Sequence, residues 1–246
     1  MAAEPHVPDL ETHPRAAVAV DLAVLTVLPP DAAPHRIGRL AVLLLDRQST
    51  PAGRVVPGRF LRERTTIAQT VTAILTTKMG LPALEVTPTL LRVFDDPDRD
   101  ARTWALSLAH SIVLPWSTVS SGLARPVLVE DDGTVSSETS LPFDHAQIVR
   151  HAVRHLRDEY EVRPDPAHLL DDRFTLAELR TVHEAVLGAP LLKDTFTRRM
   201  SPALTPVTDD AGEPVRRRAG GRPAQLFTRT DDDASGAEAR LRLPRG

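Results

Sequence analysis

From Phe174 to Phe227 the chain runs FTLAELRTVHEAVLG, breaks briefly, continues LLKDTFTRRM, and after a gap reads RRRAGGRPAQLF. Few folds accommodate that order of signals. Thr175 and Glu178 form a Ser/Thr-x-x-Glu capping box, in which each residue satisfies an N–H that the first helical turn leaves without a partner. Leu176, Leu179, Val182, Val186 and Leu187 then recur on one face, and Gly188 stops the helix because it enters the left-handed region at little cost. After GAPLL, Lys193 and Asp194 open a second helix whose Phe196 and Met200 face inward, and Pro202 ends it. The spacing predicts two short helices, a tight turn and a basic hairpin, which is the layout of a winged helix-turn-helix.

Charge agrees with that layout. Lys193 to Arg229 holds eight basic residues against four acidic ones, although the whole chain carries a formal net charge of −3. Concentrated positive charge is what a phosphate backbone attracts. Lys193, Thr195, Thr197, Arg198 and Arg199 lie on the outer side of the second helix, where they would face base edges or phosphates. Arg216, Arg217, Arg218 and Arg222 belong to the hairpin, beside Gly220 and Gly221, which let the backbone approach DNA closely. An isolated arginine triplet is more often a solvated hairpin; the capped helix pair next to it favours nucleic acid.

At 246 residues the chain is comfortable as two domains, since a domain commonly takes about 100–200 residues. Only 4% of residues are aromatic while 41% are apolar, so the cores must be built from Leu, Val and Ala. With no cysteine, disulfides, thiolate zinc sites and thiol nucleophiles are excluded. The start has no basic segment followed by an apolar one, and AVAVDLAVLTVL and LAVLLL are too short or interrupted to span a bilayer, so a soluble cytoplasmic protein is expected.

Those two apolar runs, between Ala17 and Leu45, read as neighbouring strands of a well-buried sheet. The loop DRQSTPAGRVVPGRFL follows, then a helix over Thr65 to Met79 with Ile67, Val71, Ile74, Leu75 and Met79 on one face and Gly80 at its end. EVTPTLLRVF, TWALSLAHSIVLP and PVLVED return to the strand pattern, giving a mixed α/β domain. At LPFDHAQIVRHAVRHLRDEY the period becomes helical, and Pro164 and Pro166 end that helix. The expected organisation is a tail over 1–15, a first domain over 16–142, a second over 143–229 and a disordered tail over 230–246. His151 and His155 stand one helical turn apart near His145, but no carboxylate or cysteine completes a metal set, so surface histidines are expected and no metal. No Gly-x-Ser-x-Gly turn presents a nucleophilic serine.

PGRFLRERTTIAQTVTAILTTKMGL resembles a Nudix box, with Gly58 as its first glycine and Gly80 as its last. The box's second glycine is replaced by Arg59, its loop glutamate by Thr65, its Arg-Glu pair by Ala73 and Ile74, and its Glu-Glu pair by Thr77 and Lys78. Nudix hydrolysis needs clustered carboxylates to hold divalent metal against a pyrophosphate. No carboxylate lies between Arg64 and Gly80, so that reaction is not expected.

LRVFDDPDRDARTWALSLAHSIVLP is similar to the segment after the box in the NrtR family of Nudix-related transcriptional regulators, with Arg99, Asp100, Ala101 and Arg102 at its Arg-Asp-Pro-Arg-like element. The family's second domain also has a lysine-opened helix, an inward phenylalanine, paired basic residues and a wing ending in Gly-Arg-Pro-Ala and an aromatic, matched here by Lys193, Phe196, Arg198, Arg199 and GRPAQLF. The resemblance covers about Val18 to Phe227. It implies an α+β chain, a Nudix-like sensor followed by a winged helix. It also implies a repressor that binds palindromic double-stranded DNA as a homodimer, answers to ADP-ribose or a related nucleotide, uses no cofactor and controls NAD-metabolism genes. Arg59, Arg99 and Arg102 become candidate ligand contacts, because guanidinium groups bind phosphate oxygens in pairs. The alternative for Arg99 and Arg102 is a solvated loop in which they pair with Asp95, Asp96, Asp98 and Asp100. Residual diphosphatase activity, or a first domain that only dimerises, are the competing functions.

Overall fold

The computed structural model describes residues 14–33, 38–135, 139–218 and 223–230. Its first half contains β1 (Ala17–Leu28), β2 (Arg39–Arg47), β3 (Gly53–Val55), β4 (Gly58–Phe60), helix α1 (Ile67–Ala73), β5 (Thr89–Phe94), β6 (Ala105–Val113), a one-turn helix α2 (Trp116–Val119) and β7 (Arg125–Leu128). Then come α3 (His145–Tyr160), α4 (Leu176–Leu187), α5 (Lys193–Met200), and the short strands β8 (Leu204–Pro206), β9 (Arg216–Arg217), β10 (Ala224–Gln225) and β11 (Phe227–Arg229).

β1 is central in a mixed sheet ordered β3-β2-β1-β6-β5, with β4 also on β1 and β7 on β2. It pairs antiparallel with β2, Val24 opposite Leu43, and parallel with β6, Leu22 opposite His110. The two apolar runs are therefore adjacent strands. Their side chains alternate between faces: Val20, Leu22 and Val24 enter a core with Val71, Ile74, Leu75 and Met79, whereas Ala23 and Leu25 enter one with Ile148, Ala152 and Val153. Covering on both faces explains why β1 reads as a continuous apolar run.

Three details differ from the sequence expectation. The presumed loop before the box contains β3 and β4, too short to show any periodicity, and β4 sets Gly58 opposite Asp21. α1 starts at Ile67 rather than Thr65, behind a second capping box made by Thr66 and Gln69. Its last turn, Ile74–Lys78, is a π-helix. There the Thr76 and Thr77 hydroxyls donate to the carbonyls of Thr72 and Ala73, local bonds that compete with the regular helical ladder.

In the second half α4 begins at the Thr175/Glu178 capping box and ends at Gly188, whose φ is 72°. α5 covers Lys193–Met200 with Phe196 and Met200 buried, and a single 3-10 turn at Ser201–Ala203 carries Pro202. β9 pairs with β10, and β11 with β8. α3 lies between the halves. Ile148, Ala152 and Val153 pack beneath the sheet, and one continuous core extends from β1 and β2 through α3 to Leu179, Val186 and Phe196. The cut expected near residue 142 thus falls just before a helix that both halves share. The expected tails lie outside the described residues except for residues 14, 15 and 230, and Gly220, Gly221 and Arg222 lie outside them too. No helix among the described residues is long and apolar enough to cross a membrane.

Candidate functional site

Two surfaces bring the sequence candidates together. The first is the outer side of α5. Turning Phe196 and Met200 into the core leaves Lys193 and Arg198 exposed and Thr195, Thr197 and Arg199 half-buried at the surface. The macrodipole adds partial positive charge at the α5 N-terminus, where Lys193 stands. The hairpin carries Arg216 and Arg218 exposed, while Arg217 is half-buried and ion-paired with Glu178 of the α4 capping box. Glu178 therefore caps α4 and tethers the hairpin to it. Arg229, part of the same run of basic residues, turns inward to pair with the buried Asp165 and belongs to the scaffold.

The second surface is an open cavity of about 440 Å³ in the first half, lined by Arg47, Arg59, Arg62, Lys78, Arg99 and Arg102, with Asp21 and Asp100 among its walls. All three arginines proposed from sequence as ligand contacts line it. Arg99 does not pair with the aspartates beside it in sequence. Its Nε and Nη2 donate to Asp144 at 2.9 and 2.7 Å, and Nη2 also reaches Asp21 at 3.3 Å. Asp144 occupies the N-cap position of α3 without making a side-chain cap bond, because its carboxylate engages Arg99 instead. Arg102 does pair locally, donating to Asp100 at 2.8 and 2.6 Å, and this bond holds the Asp100 carboxyl below its ordinary pKa.

Four further residues shape the cavity: Asp21, Arg47 and Phe143 were not singled out in the sequence, and His145, expected at the surface, is buried because the start of α3 packs against the sheet. Asp21 is buried on β1 and accepts from Ser107 at 2.6 Å; as the single charge inside AVAVDLAVLTVL it could have been noticed. Phe143 adopts φ of 62°, uncommon for a bulky residue, and its ring lies 5.7 Å from the Arg47 guanidinium and 5.5 Å from that of Arg102. His145 accepts from the Val56 amide through Nδ1 at 3.2 Å, and burial keeps its pKa low against the pull of Asp21 and Asp144. Arg47 ends β2 at the cavity wall. His145, His151 and His155 do not form a metal site: His151 stands edge-on to Phe94, and His155 lines a different cavity.

Thr77 and Lys78 occupy the box positions of two metal-binding carboxylates, and of the two only Lys78 lines this cavity. Asp21 and Asp100 are both engaged by arginines, and among the described residues no group of three His, Cys, Asp or Glu side chains is placed to hold a metal ion. The donor set does not fit a divalent cation. It fits an anion.

The family model described as the NrtR DNA-binding winged helix domain matches residues 166–228. The chain is 26% identical over 226 residues to the ADPR responsive transcriptional repressor NtrR of Acinetobacter baylyi, covering 87% of this chain and 82% of that protein. Shewanella oneidensis NrtR complexed with a 27mer DNA superposes with a TM-score of 0.68 at 25% identity, covering 93% of this chain and 98% of the other. A MutT/nudix family protein from Enterococcus faecalis has the same fold, with a TM-score of 0.71 at 19% identity over 90% of this chain and 89% of its own. Residues 166–228 thus match the NrtR winged helix family, and the chain as a whole is similar in sequence and fold to the Nudix-related NrtR regulators, a Nudix-like domain followed by a winged helix.

Proposed function

We propose that this chain is a DNA-binding transcriptional repressor whose Nudix-like domain senses ADP-ribose or a related nucleotide and does not hydrolyse it. The observation that carries the reading is the outer face of α5, with Lys193 and Arg198 exposed beside a basic hairpin tied to the same helix pair by Arg217 and Glu178. Likeness to a repressor described as ADPR responsive, and to an NrtR solved on DNA, supports the same assignment. Lys193, Thr195, Thr197, Arg198, Arg199, Arg216, Arg217, Arg218 and Arg222 are the proposed DNA contacts, and Arg59, Arg99 and Arg102 the proposed ligand contacts. In this reading residues 16–142 sense and residues 143–229 read DNA, with α3 serving both. A cytoplasmic homodimer would set two recognition helices one DNA turn apart on a palindromic operator, at genes of NAD metabolism.

Regulation requires ADP-ribose to bind one arrangement of the reader more tightly than the other. The test is a pull-down of fragmented genomic DNA by the purified chain at low ionic strength, repeated with ADP-ribose. Selective retention of a few palindromic fragments, released by the nucleotide, is expected. Retention of none would defeat the repressor reading, and AMP release from ADP-ribose at an ordinary enzymatic rate would defeat the non-enzymatic one.

A further inference from the structure

Lys78 lies in the π-helical turn that closes α1, and the turn directs its side chain back across the cavity mouth. Its Nζ donates to the carbonyl of Gly58 on β4, twenty residues earlier in the chain. An ammonium has three donors, so that bond leaves others directed into the cavity that Lys78 lines. Gly58 in turn packs against Asp21, and a Cβ at position 58 would lie 2.0 Å from Asp21 Oδ1, so the absence of a side chain there allows the carboxylate, the strand and Lys78 to converge. Burial lowers the Lys78 pKa, Asp21 opposes that, and Arg59 and Arg47 lower it further. The cations thus repel one another across the cavity, which is the condition an arriving anion relieves.

In a metal-dependent pyrophosphate site, carboxylates hold a divalent cation and the cation neutralises the phosphate oxygens. Here Lys78 stands in place of one of those carboxylates, and Arg47 and Arg59 are close enough to perturb it. We propose that the Lys78 ammonium, with Arg59 and Arg47, takes over the role of the divalent cation, so that the cavity binds the diphosphate of a nucleotide ligand without metal. The proposal rests on the sensing reading above and deepens it.

Calorimetry on the full chain tests it, with ADP-ribose and inorganic pyrophosphate as probes, each in EDTA and in magnesium. The ADP-ribose affinity is expected to agree within about twofold between the two conditions. Lys78→Gln should weaken binding by about ten- to a hundredfold in both, the usual range for losing a charged hydrogen bond, and Lys78→Arg should restore most of it. Unchanged thermal unfolding of both variants will show that the loss is local. Binding that disappears in EDTA, or that survives Lys78→Gln intact, overturns the proposal and leaves the sensing role standing. Metal-free, Lys78-dependent binding of pyrophosphate alone supports the proposal and removes the nucleotide from the sensing role. Binding of neither probe overturns the proposal, while the DNA-reading role stands or falls on the fragment pull-down.

Discussion

Asp165 is fully buried at a φ of 46°, between the two prolines that end the α3 region. It accepts from Tyr160 Oη at 2.6 Å and from the amides of Leu169 and Leu170 at 3.0 and 2.9 Å, and it pairs with Arg229 of the last strand. Removing it would leave Arg229 without its counter-charge, and Asp165→Ala is expected to lower stability by about 3–5 kcal/mol in urea unfolding. His183 lies beside it, accepting from the Asp165 amide through Nε2 at 3.2 Å. Burial pushes the His183 imidazole down from 6.5 to about 4, against the pull of Asp165. The unfolded chain therefore binds a proton at a higher pH than the native one, and stability falls as pH drops from about 6.5 towards about 4, by roughly 3 kcal/mol in all. A His183→Phe variant should lose much of that slope; an unaltered slope would assign it to other groups. At the proposed DNA-reading surface, Lys193→Ala and Arg198→Ala are each expected to weaken operator binding by about 1–3 kcal/mol in fluorescence anisotropy, with stability unchanged. Helical spacing was enough to put those two side chains outside. It could not reveal that Arg229 points inward, because a charge run does not indicate which of its members meets a buried carboxylate.

Whole elements were legible where a local signal repeated. The Thr175/Glu178 box, Gly188 and the prolines gave α4 and α5, since capping and breaking are chemistry of neighbours in sequence. Thr175→Ala is expected to lower stability by about 1 kcal/mol, measured as the shift of the denaturation midpoint. Glu178→Ala should have a larger effect, because that carboxylate also holds Arg217. Strands β3 and β4 were hidden: three residues show no alternation, and β4 takes its partner from distant β1, Gly58 opposite Asp21. The π turn of α1 was hidden as well, although it orients Lys78. A run of threonines signals weak helix preference but not where an extra residue will enter the turn. The candidate cavity was half legible. Arg59, Arg99 and Arg102 came from the box frame and its neighbour, whereas Asp21, Arg47, Phe143 and His145 reach it through sheet pairing and the start of α3.

At the scale of the molecule, the two halves are joined by side chains as well as by chain. Arg157 of α3 donates through Nη1 to the Asp131 carbonyl at 2.6 Å and through Nη2 to the Glu130 carbonyl at 3.2 Å, both beyond β7, and through Nε to the Val186 carbonyl in α4 at 3.0 Å. A cation that bridges backbone of the first half and α4 is well placed to couple the two sites of the proposed regulator. If ADP-ribose binding lowers operator affinity by a factor in the allosteric range of about 5–150, Arg157→Met should shrink that factor, while each ligand still binds alone. An undiminished factor, read by anisotropy with and without nucleotide, would move the coupling elsewhere.

α3 itself decides how the protein can be divided. A polypeptide ending at residue 142 would lose the layer that covers Ala23, Leu25, Val42 and Leu44, and would meet water with a bare greasy sheet. One ending just past Tyr160 keeps its roof. The shorter piece should precipitate or associate, and the longer one should stay in solution as a folded unit. In the proposed regulator, nucleotide cavity and DNA-reading helices would then share one helix of 16 residues, about 24 Å long, that is packed into both.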